Sequence, residues 1–328
     1  MNRLKSSVLP LAALLVLPAA ARPQTTDPPV QPKAEAFRAK LEALISQRQY
    51  DTAEQMVSRR LAAGDDPATT YLQIGKVYFD HEEWQRSAGF LEKSLNIKAG
   101  NDEAHQLLGL DWRALHRPDD AEVELLEAAK ENPSNRVNAY FAGHQLILNG
   151  KFEAALPFLY RALDWKPLQS QALQALALAQ ARLGNYGLAE SYYRKAIDSA
   201  QASDDGHYSA LVNLSVLLLL GHDTARLDEG FSCARRAQKL RPDSPEAHFL
   251  AGKALFKLGR LREASSELAR AAKLDPEDSK PHFLLAQIYE QLGQHDRALK
   301  ERKNIARMQG RPGQAGMATV DLVPVTPE

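Results

Sequence analysis

The strongest constraint on the fold of this chain is a series of small residues that recur at an interval of 34 residues. Gly75, Gly109 and Gly143 follow one another at this interval, and Ala177 continues the series. A second series with the same interval runs in step with the first: Ala53, Ser87, Ala121, Ala155 and Ala189. Such a period indicates stacked supersecondary units, because each unit is too small to bury its apolar face alone.

Within one period of the repeat, residues 141–167 have the pattern of two amphipathic helices around the turn at residues 149–151. Small residues such as Gly143 and Ala155 allow the two helices to approach closely, and Pro167 ends the unit. Large apolar residues are expected to fill the gaps between the helices: Leu146, Phe152 and Leu159.

This arrangement resembles the tetratricopeptide repeat family, whose units carry a small residue, an apolar or aromatic residue, glycine, two alanines and proline at fixed positions. Residues 105–133 and 247–276 match the pattern in the same register, and the resemblance covers residues 34–310. It implies an all-α fold, an α-solenoid of about eight helix-turn-helix repeats that form a right-handed superhelix.

Both ends of the chain differ in composition from the repeats. A positively charged start, a short apolar stretch and small residues predict a signal peptide at residues 1–21, and hence export to the periplasm or secretion. Prolines predict an extended linker at residues 22–33, and a Gly/Pro-rich composition predicts a disordered tail at 311–328. The apolar stretch is too short to cross a bilayer, so no membrane span is expected after signal cleavage.

The repeat array is irregular in one region. A longer polar run at residues 198–207 replaces the expected proline, and residues 221–231 replace the usual short turn and place Gly230 where alanine is expected. These departures predict a seam near residues 198–230, where stacking between neighbouring repeats is weaker.

The sequence has no pattern typical of catalysis or of metal binding. Its formal net charge is zero, and no aromatic–basic motif indicates nucleic-acid binding. The histidines lack metal-ligand spacing, and three of them recur at one repeat position, which favours a structural role: His105, His248 and His282. The single cysteine, Cys233, excludes an internal disulfide framework and is expected to be a packed thiol. We therefore predict a protein that is not an enzyme and holds no metal or cofactor.

The family resemblance implies that the first helix of each repeat lines a concave groove that binds a segment of a partner protein. Eleven residues occupy groove positions in the central repeats: Tyr140, His144, Ile147, Gln174, Leu178, Val212, Val216, Leu219, Phe249, Lys253 and Phe256. The stretch 210–221 is apolar nearly all round, which is compatible either with a helix packed on several sides or with an apolar groove.

These features predict a non-catalytic interaction scaffold in the cell envelope, resembling exported bacterial periplasmic tetratricopeptide repeat proteins. Two alternatives remain open. In the first, the chain binds carbohydrate or peptidoglycan, with Tyr140, Phe249 and Phe256 as stacking platforms. In the second, it is a non-catalytic subunit of an envelope enzyme complex.

Overall fold

The repeats are visible in a computed structural model of the chain, which describes residues 32–199 and 205–309. These residues form sixteen α-helices and no β-strand. The chain divides into two compact units, and the boundary falls between Tyr192 and Tyr193, just before the predicted seam. The predicted signal peptide, nearly all of the predicted linker and the predicted tail lie outside the described residues.

The helices follow one another in pairs along both units. The helices of the first unit are α1 (Pro32–Ser46), α2 (Tyr50–Ala62), α3 (Pro67–Asp80), α4 (Trp84–Ile97), α5 (Asp102–Ala114), α6 (Pro118–Glu131), α7 (Arg136–Leu148), α8 (Phe152–Ala162) and α9 (Lys166–Arg182). The unit boundary lies within α10 (Tyr186–Ser199). The remaining helices of the second unit are α11 (Asp205–Leu218), α12 (Thr224–Leu240), α13 (Pro245–Lys257), α14 (Leu261–Leu274), α15 (Ser279–Gln291) and α16 (His295–Gln309).

Each unit is built in two layers. A first helix packs against the second helix of its own repeat, as in α3 with α4 or α13 with α14. First helices also contact the next first helix, from α1 through α9 in one unit and from α11 through α15 in the other. Successive second helices touch through side chains, as in the ion pairs Arg86–Glu54 and Arg235–Glu267. The first helices of each unit therefore form a continuous layer, which we call its first-helix face. Eight helix pairs confirm the predicted α-solenoid.

Polar side chains fix where many first helices begin. The Asp66 carboxylate accepts a hydrogen bond from the backbone N–H of Thr69 at 2.8 Å, and Pro67 occupies the first turn of α3. Asn135 caps α7 in the same way, and Ser244 caps α13 with its hydroxyl. These groups satisfy backbone donors that have no partner inside the helix.

Close packing within a repeat explains the periodic glycines. A Cβ atom built on Gly143 would lie 2.7 Å from Cγ of Leu159 and 3.2 Å from the carbonyl oxygen of Ala155. Gly75, Gly109 and Gly252 meet a leucine of their own second helix equally closely. The predicted role of these small residues, a close approach of the two helices, is confirmed.

The inserted residues after α11 do not form a long loop throughout. The helix α12 already begins at Thr224, so part of the inserted stretch extends the helix. The Asp223 side chain caps it by accepting from the backbone N–H of Arg226 at 2.9 Å, and Leu227 is buried. An aspartate cap followed by a buried leucine gives these residues more stabilising contacts as a helical turn than as a loop.

Candidate functional site

Ten of the eleven predicted groove residues lie on first helices, and both units contribute. The first unit holds five of the eleven, on α7 and α9: Tyr140, His144, Ile147, Gln174 and Leu178. The second unit holds the other six. Five lie on α11 and α13, namely Val212, Val216, Phe249, Lys253 and Phe256, and Leu219 lies in the turn just after α11.

On α7 the predicted residues form a buried aromatic cluster. Tyr140 and His144 are one helical turn apart, and their rings stack with centroids 5.6 Å apart. Their exposed fractions are only 5% and 2%, and Ile147, the next residue on this helix face, is also buried. On α9, Gln174 is buried and Leu178 is partly exposed. Most of this stripe therefore packs within the first unit.

Sequence reasoning missed a cation beside this cluster. Arg113, at the end of α5, is partly buried and forms no hydrogen bond or ion pair with any described side chain. Its guanidinium carbon lies 5.8 Å from the ring centroid of Phe141. Arg113 lies one repeat length, 34 residues, before Ile147. Applying the same groove positions to the preceding repeat would therefore have identified it.

The electrostatics of this cluster are set by burial. Burial, together with a smaller effect of the charge of Arg113, lowers the pKa of His144 to about 3. Burial also raises the pKa of Tyr140 to about 12, against the opposing effect of Arg113. The imidazole and the phenol are therefore both neutral at neutral pH. The pKa of Arg113 is lowered by the same loss of hydration, but arginine stays protonated. Arg113 thus supplies the charge of the cluster.

In the second unit, α13 presents a mixed stripe on its first-helix face. Phe249, Lys253 and Phe256 follow at intervals of four and three residues, which places them on one side of the helix. All three are partly exposed, and both phenylalanines also pack against the core of the unit. This stripe keeps apolar surface accessible beside an ammonium group.

The lysine of this stripe has no anionic partner among the described residues. Burial lowers the pKa of Lys253, and the neighbouring charges of Lys257 and Lys280 lower it further. Lys257 donates a hydrogen bond to the carbonyl oxygen of Gly221 at 2.9 Å, which leaves its charge unneutralised. The stripe on α13 is therefore an apolar surface with an excess of positive charge.

The predicted residues of α11 and of the turn just after it are mainly core. Val212 and Leu219 are each 1% exposed, and Val216 is partly exposed. A Cβ atom on Gly230 would lie 3.1 Å from a methyl group of Leu219, so these two residues pack tightly. Of the two open interpretations of this apolar stretch, the packing supports a helix enclosed by its own unit.

Solved structures with similar folds are repeat proteins. A tetratricopeptide repeat protein from Parabacteroides merdae superposes with a TM-score of 0.57 and 16% identity, over 76% of this chain and 95% of that one. PilW, a "widely conserved type IV pilus biogenesis factor", gives a TM-score of 0.58 and 16% identity, over 68% of this chain and all of that one. A chain of the APC/C hetero-tetramer Cut9–Hcn1 gives 0.55 and 13% identity, over 83% of this chain and 52% of that one.

Family models match two parts of the sequence. Residues 223–305 match a model described as "Anaphase-promoting complex, cyclosome, subunit 3". Residues 170–203, which include α10 and most of α9, match the tetratricopeptide repeat model. The chain is a tetratricopeptide repeat protein. No curated protein sequence is significantly similar to it. At identities below one fifth, the structural neighbours establish the fold, and this fold is one that generally serves as a scaffold for protein–protein interaction.

The recurring histidines of this tetratricopeptide repeat protein contact glutamates of their own repeats. His248 Nδ1 lies 2.7 Å from a carboxylate oxygen of Glu267, and His282 Nδ1 lies 2.5 Å from one of Glu301. Within residues 32–199 and 205–309, no group of three or more His, Cys, Asp or Glu side chains is arranged to hold a metal ion. The structural role predicted for these histidines agrees with this geometry.

Two further features of the tetratricopeptide repeats bear on function. Cys233 is a buried free thiol, and burial raises its pKa to about 11, so the thiol is protonated and poorly nucleophilic. No helix in the described part of the chain is long and apolar enough to cross a membrane.

Proposed function

We propose that this chain is a non-catalytic interaction scaffold of the cell envelope, and that its first-helix face binds a segment of a partner protein. The tetratricopeptide repeat fold supports the general role as a scaffold. The envelope location and the binding surface are the specific parts of the proposal, and each has its own support and its own test.

The stripe on α13 carries the proposal. Phe249 and Phe256 remain partly exposed although they pack on the core, and Lys253 between them has no anionic partner in the described part of the chain. A desolvated cation without a partner is unfavourable, and exposed aromatic surface gains free energy when it is buried. A partner segment with apolar side chains and a carboxylate satisfies both groups at once.

The envelope location rests on the sequence of residues 1–21, which lies outside the described residues. Its charged start, apolar stretch and small residues are typical of a signal peptide. PilW, one structural neighbour of the same fold, is a type IV pilus biogenesis factor, which is compatible with an envelope role for this chain. N-terminal sequencing of the protein from an envelope fraction tests this part: we expect Arg22 as the first residue, and a start at Met1 in a cytoplasmic pool would contradict it.

Binding to the α13 stripe is tested by affinity capture from envelope extract with wild-type and variant protein. We expect Lys253→Gln to reduce capture of the same partner while helical content and melting temperature stay close to wild type. Phe256→Ala should reduce capture with helical content retained, and should lower the melting temperature because Phe256 also packs on the core. Leu299→Ala is the matched control, because Leu299 is an exposed apolar residue on the second helix α16. Equal capture by all variants would exclude the stripe as the binding surface.

The carbohydrate alternative loses one of its three stacking platforms. Tyr140 is 5% exposed, so its ring face is already covered within the first unit. Phe249 and Phe256 remain partly exposed, and a glycan array with wild-type and Phe256→Ala protein separates this alternative from protein binding.

A further inference from the structure

The turn between α7 and α8 contains the only Asn–Gly sequence of the chain, Asn149–Gly150. Gly150 is exposed and adopts a φ of +73°, and a Cβ atom built on it meets no atom within 4 Å. The turn is therefore open to water. Because glycine has no side chain, nothing at residue 150 shields its backbone nitrogen from the side chain of Asn149.

The side chain of Asn149 links two repeats of the first unit. Its Nδ2 donates a hydrogen bond to Oε2 of Glu122 on α6 at 2.7 Å and another to the carbonyl oxygen of Pro118 at 3.3 Å. Nζ of Lys151 donates to the other carboxylate oxygen of Glu122 at 2.6 Å. Burial raises the pKa of Glu122, but the hydrogen bonds from Lys151 and Asn149 outweigh it and hold this pKa below its usual value. The carboxylate is therefore charged at neutral pH.

An aspartate at position 149 would reverse this link. An ionised carboxylate only accepts hydrogen bonds, whereas the amide nitrogen of asparagine donates two. An oxygen in the place of Nδ2 would face the carboxylate of Glu122 and the carbonyl oxygen of Pro118, which are both acceptors. Two hydrogen bonds would be lost, and two like charges would be in contact. The contact between α6 and the end of α7 would then be repulsive.

We propose that Asn149–Gly150 is a site of spontaneous hydrolysis of the side-chain amide, and that the product weakens the stacking of the α5–α6 repeat on the α7–α8 repeat. In the first step the backbone nitrogen of Gly150 forms a bond to Cγ of Asn149. The bond from Cγ to Nδ2 breaks, and this nitrogen leaves as ammonia with the proton of the Gly150 amide.

The second step is the opening of the resulting succinimide ring by water. Water adds to either carbonyl carbon of the ring, and the bond from that carbon to the ring nitrogen breaks. The product is aspartate when the side-chain carbon is attacked and isoaspartate when the backbone carbon is attacked. The net reaction consumes one water molecule and releases one ammonia molecule, without oxidation or reduction.

The folded turn controls the first step. Asn149 is the C-cap of α7 with a ψ of 5°, and the backbone N–H of Gly150 donates to the carbonyl oxygen of Ile147 at 3.0 Å. Ring closure breaks this hydrogen bond and rotates Asn149 out of the helical conformation, so the turn must first open locally. The hydrogen bond to Glu122 opposes this opening. The rate of the reaction therefore depends on the stability of the contact that its product destroys.

This inference does not rest on the proposed function, because it concerns the packing inside the first unit. Its first test is peptide mapping by mass spectrometry of the full chain kept in mildly alkaline buffer, with chromatographic separation of aspartate and isoaspartate forms. We expect both forms to accumulate at Asn149 several-fold faster than at Asn185. Asn185 is the matched control, because it lies in the turn between α9 and α10 but precedes Tyr186. Equal rates at the two positions would overturn the site.

The second test concerns the protection by Glu122. We expect Glu122→Ala to accelerate the conversion of Asn149 several-fold, because the turn then opens more often. Glu263→Ala is the control: it removes a glutamate that pairs with Arg260 in the second unit, and it should leave the rate unchanged. An unchanged rate in Glu122→Ala would show that the contact between the repeats does not control the reaction.

The third test measures the effect of the product on stability. Asn149→Asp has the charge of the product, and Asn149→Ser loses the same amide without adding a charge. We expect Asn149→Asp to melt about 2–4 °C below Asn149→Ser when tryptophan fluorescence follows the first unit. Adding Glu122→Gln to Asn149→Asp exchanges donor and acceptor and should recover most of this difference. Equal melting temperatures of the two single variants, or no recovery in the double variant, would overturn the proposed effect on stacking.

Discussion

His105 Nδ1 lies 2.6 Å from a carboxylate oxygen of Glu124, so the pair links the first and second helices of one repeat. The other ring nitrogen lies 2.8 Å from the carbonyl oxygen of Ala99. The same spacing of 19 residues recurs in two other repeats, in the pairs His248–Glu267 and His282–Glu301. A histidine at this repeat position is therefore a polar link within the repeat.

The His105–Glu124 pair predicts a pH-dependent contribution to stability. The hydrogen bond to Glu124 raises the pKa of His105, against the opposing effect of burial. A raised pKa in the folded state means that the stabilisation is fully present below the unfolded pKa of about 6.5 and is lost as pH rises through the folded value. We expect Glu124→Gln to lower the free energy of unfolding by about 1 kcal/mol near pH 6 and by less near pH 9.

Urea denaturation of wild-type and variant protein at several pH values measures this difference. Glu263→Gln is the control, because Glu263 pairs with Arg260 at the surface and no histidine is involved. A loss of stability for Glu124→Gln that stays constant from pH 6 to pH 9 would show that His105 does not carry the charge of the pair.

The close contact of Gly143 with α8 predicts that Gly143→Ala lowers the stability of the protein, although helix propensity alone predicts that it raises it. Alanine is favoured over glycine in a helix interior by about 1 kcal/mol. At Gly143, however, the added methyl group would lie 2.7 Å from Cγ of Leu159, so the helices must separate. We expect Gly143→Ala to lower stability by about 1–3 kcal/mol, the usual cost of overpacking.

Gly89 in α4 provides the comparison within the same unit. A Cβ atom at Gly89 meets no atom within 4 Å, so Gly89→Ala should increase stability by about 0.5–1 kcal/mol. Thermal unfolding followed by circular dichroism compares the two variants. Equal shifts in melting temperature would mean that helix propensity dominates at both positions.

The fold could be predicted from the sequence because the repeat supplies many copies of one signal. Gly143 and Ala155 are recognisable as contact residues since residues 34 positions away have the same size, and the structure shows them at the helix–helix contact. The extension of α12 could not be predicted in this way, because its inserted residues occur in a single repeat. Its determinants, the Asp223 cap and the buried Leu227, are local.

The candidate site was only partly predictable. The repeat register identifies which residues share a face, as it did for Tyr140 and His144, but burial depends on the volume of neighbouring side chains across repeats. Phe141 packs against Tyr140 with ring centroids 5.5 Å apart, and the repeat pattern does not specify an aromatic residue at its position. Whether the predicted groove residues bind a partner stays a prediction.

Because the carboxyl group of Asp111 is buried, we predict that Asp111→Asn stabilises the protein at neutral pH. Burial raises the pKa of Asp111 to about 8, above the unfolded value of about 4. Between pH 4 and pH 8 the carboxyl group ionises in the unfolded chain but stays mainly protonated in the folded one, so the free energy of unfolding falls as pH rises. We expect Asp111→Asn to increase the free energy of unfolding at pH 7 by on the order of 3 kcal/mol, and to have little effect near pH 4. An increase of equal size at both pH values would exclude ionisation as the cause.

The two units carry separate natural reporters of unfolding. All three tryptophans, Trp84, Trp112 and Trp165, lie in the first unit. The single cysteine, Cys233, lies in the second and is 4% exposed. Tryptophan fluorescence therefore follows the first unit, and labelling of Cys233 by a thiol reagent follows the second. In native protein we expect very slow labelling, because burial holds the thiol protonated and covered.

These reporters test the packing at the end of α11 through two neighbouring leucines in the turn that follows it. Leu219 is 1% exposed and packs against Gly230, whereas Leu220 is 43% exposed. We expect Leu219→Asp to unfold the second unit and to make Cys233 react rapidly, because a buried carboxylate without a partner costs several kcal/mol. Leu220→Asp should leave Cys233 protected. If both variants keep Cys233 protected and Leu219→Asp instead weakens partner capture, Leu219 belongs to the binding surface and the enclosed-helix interpretation of α11 is wrong.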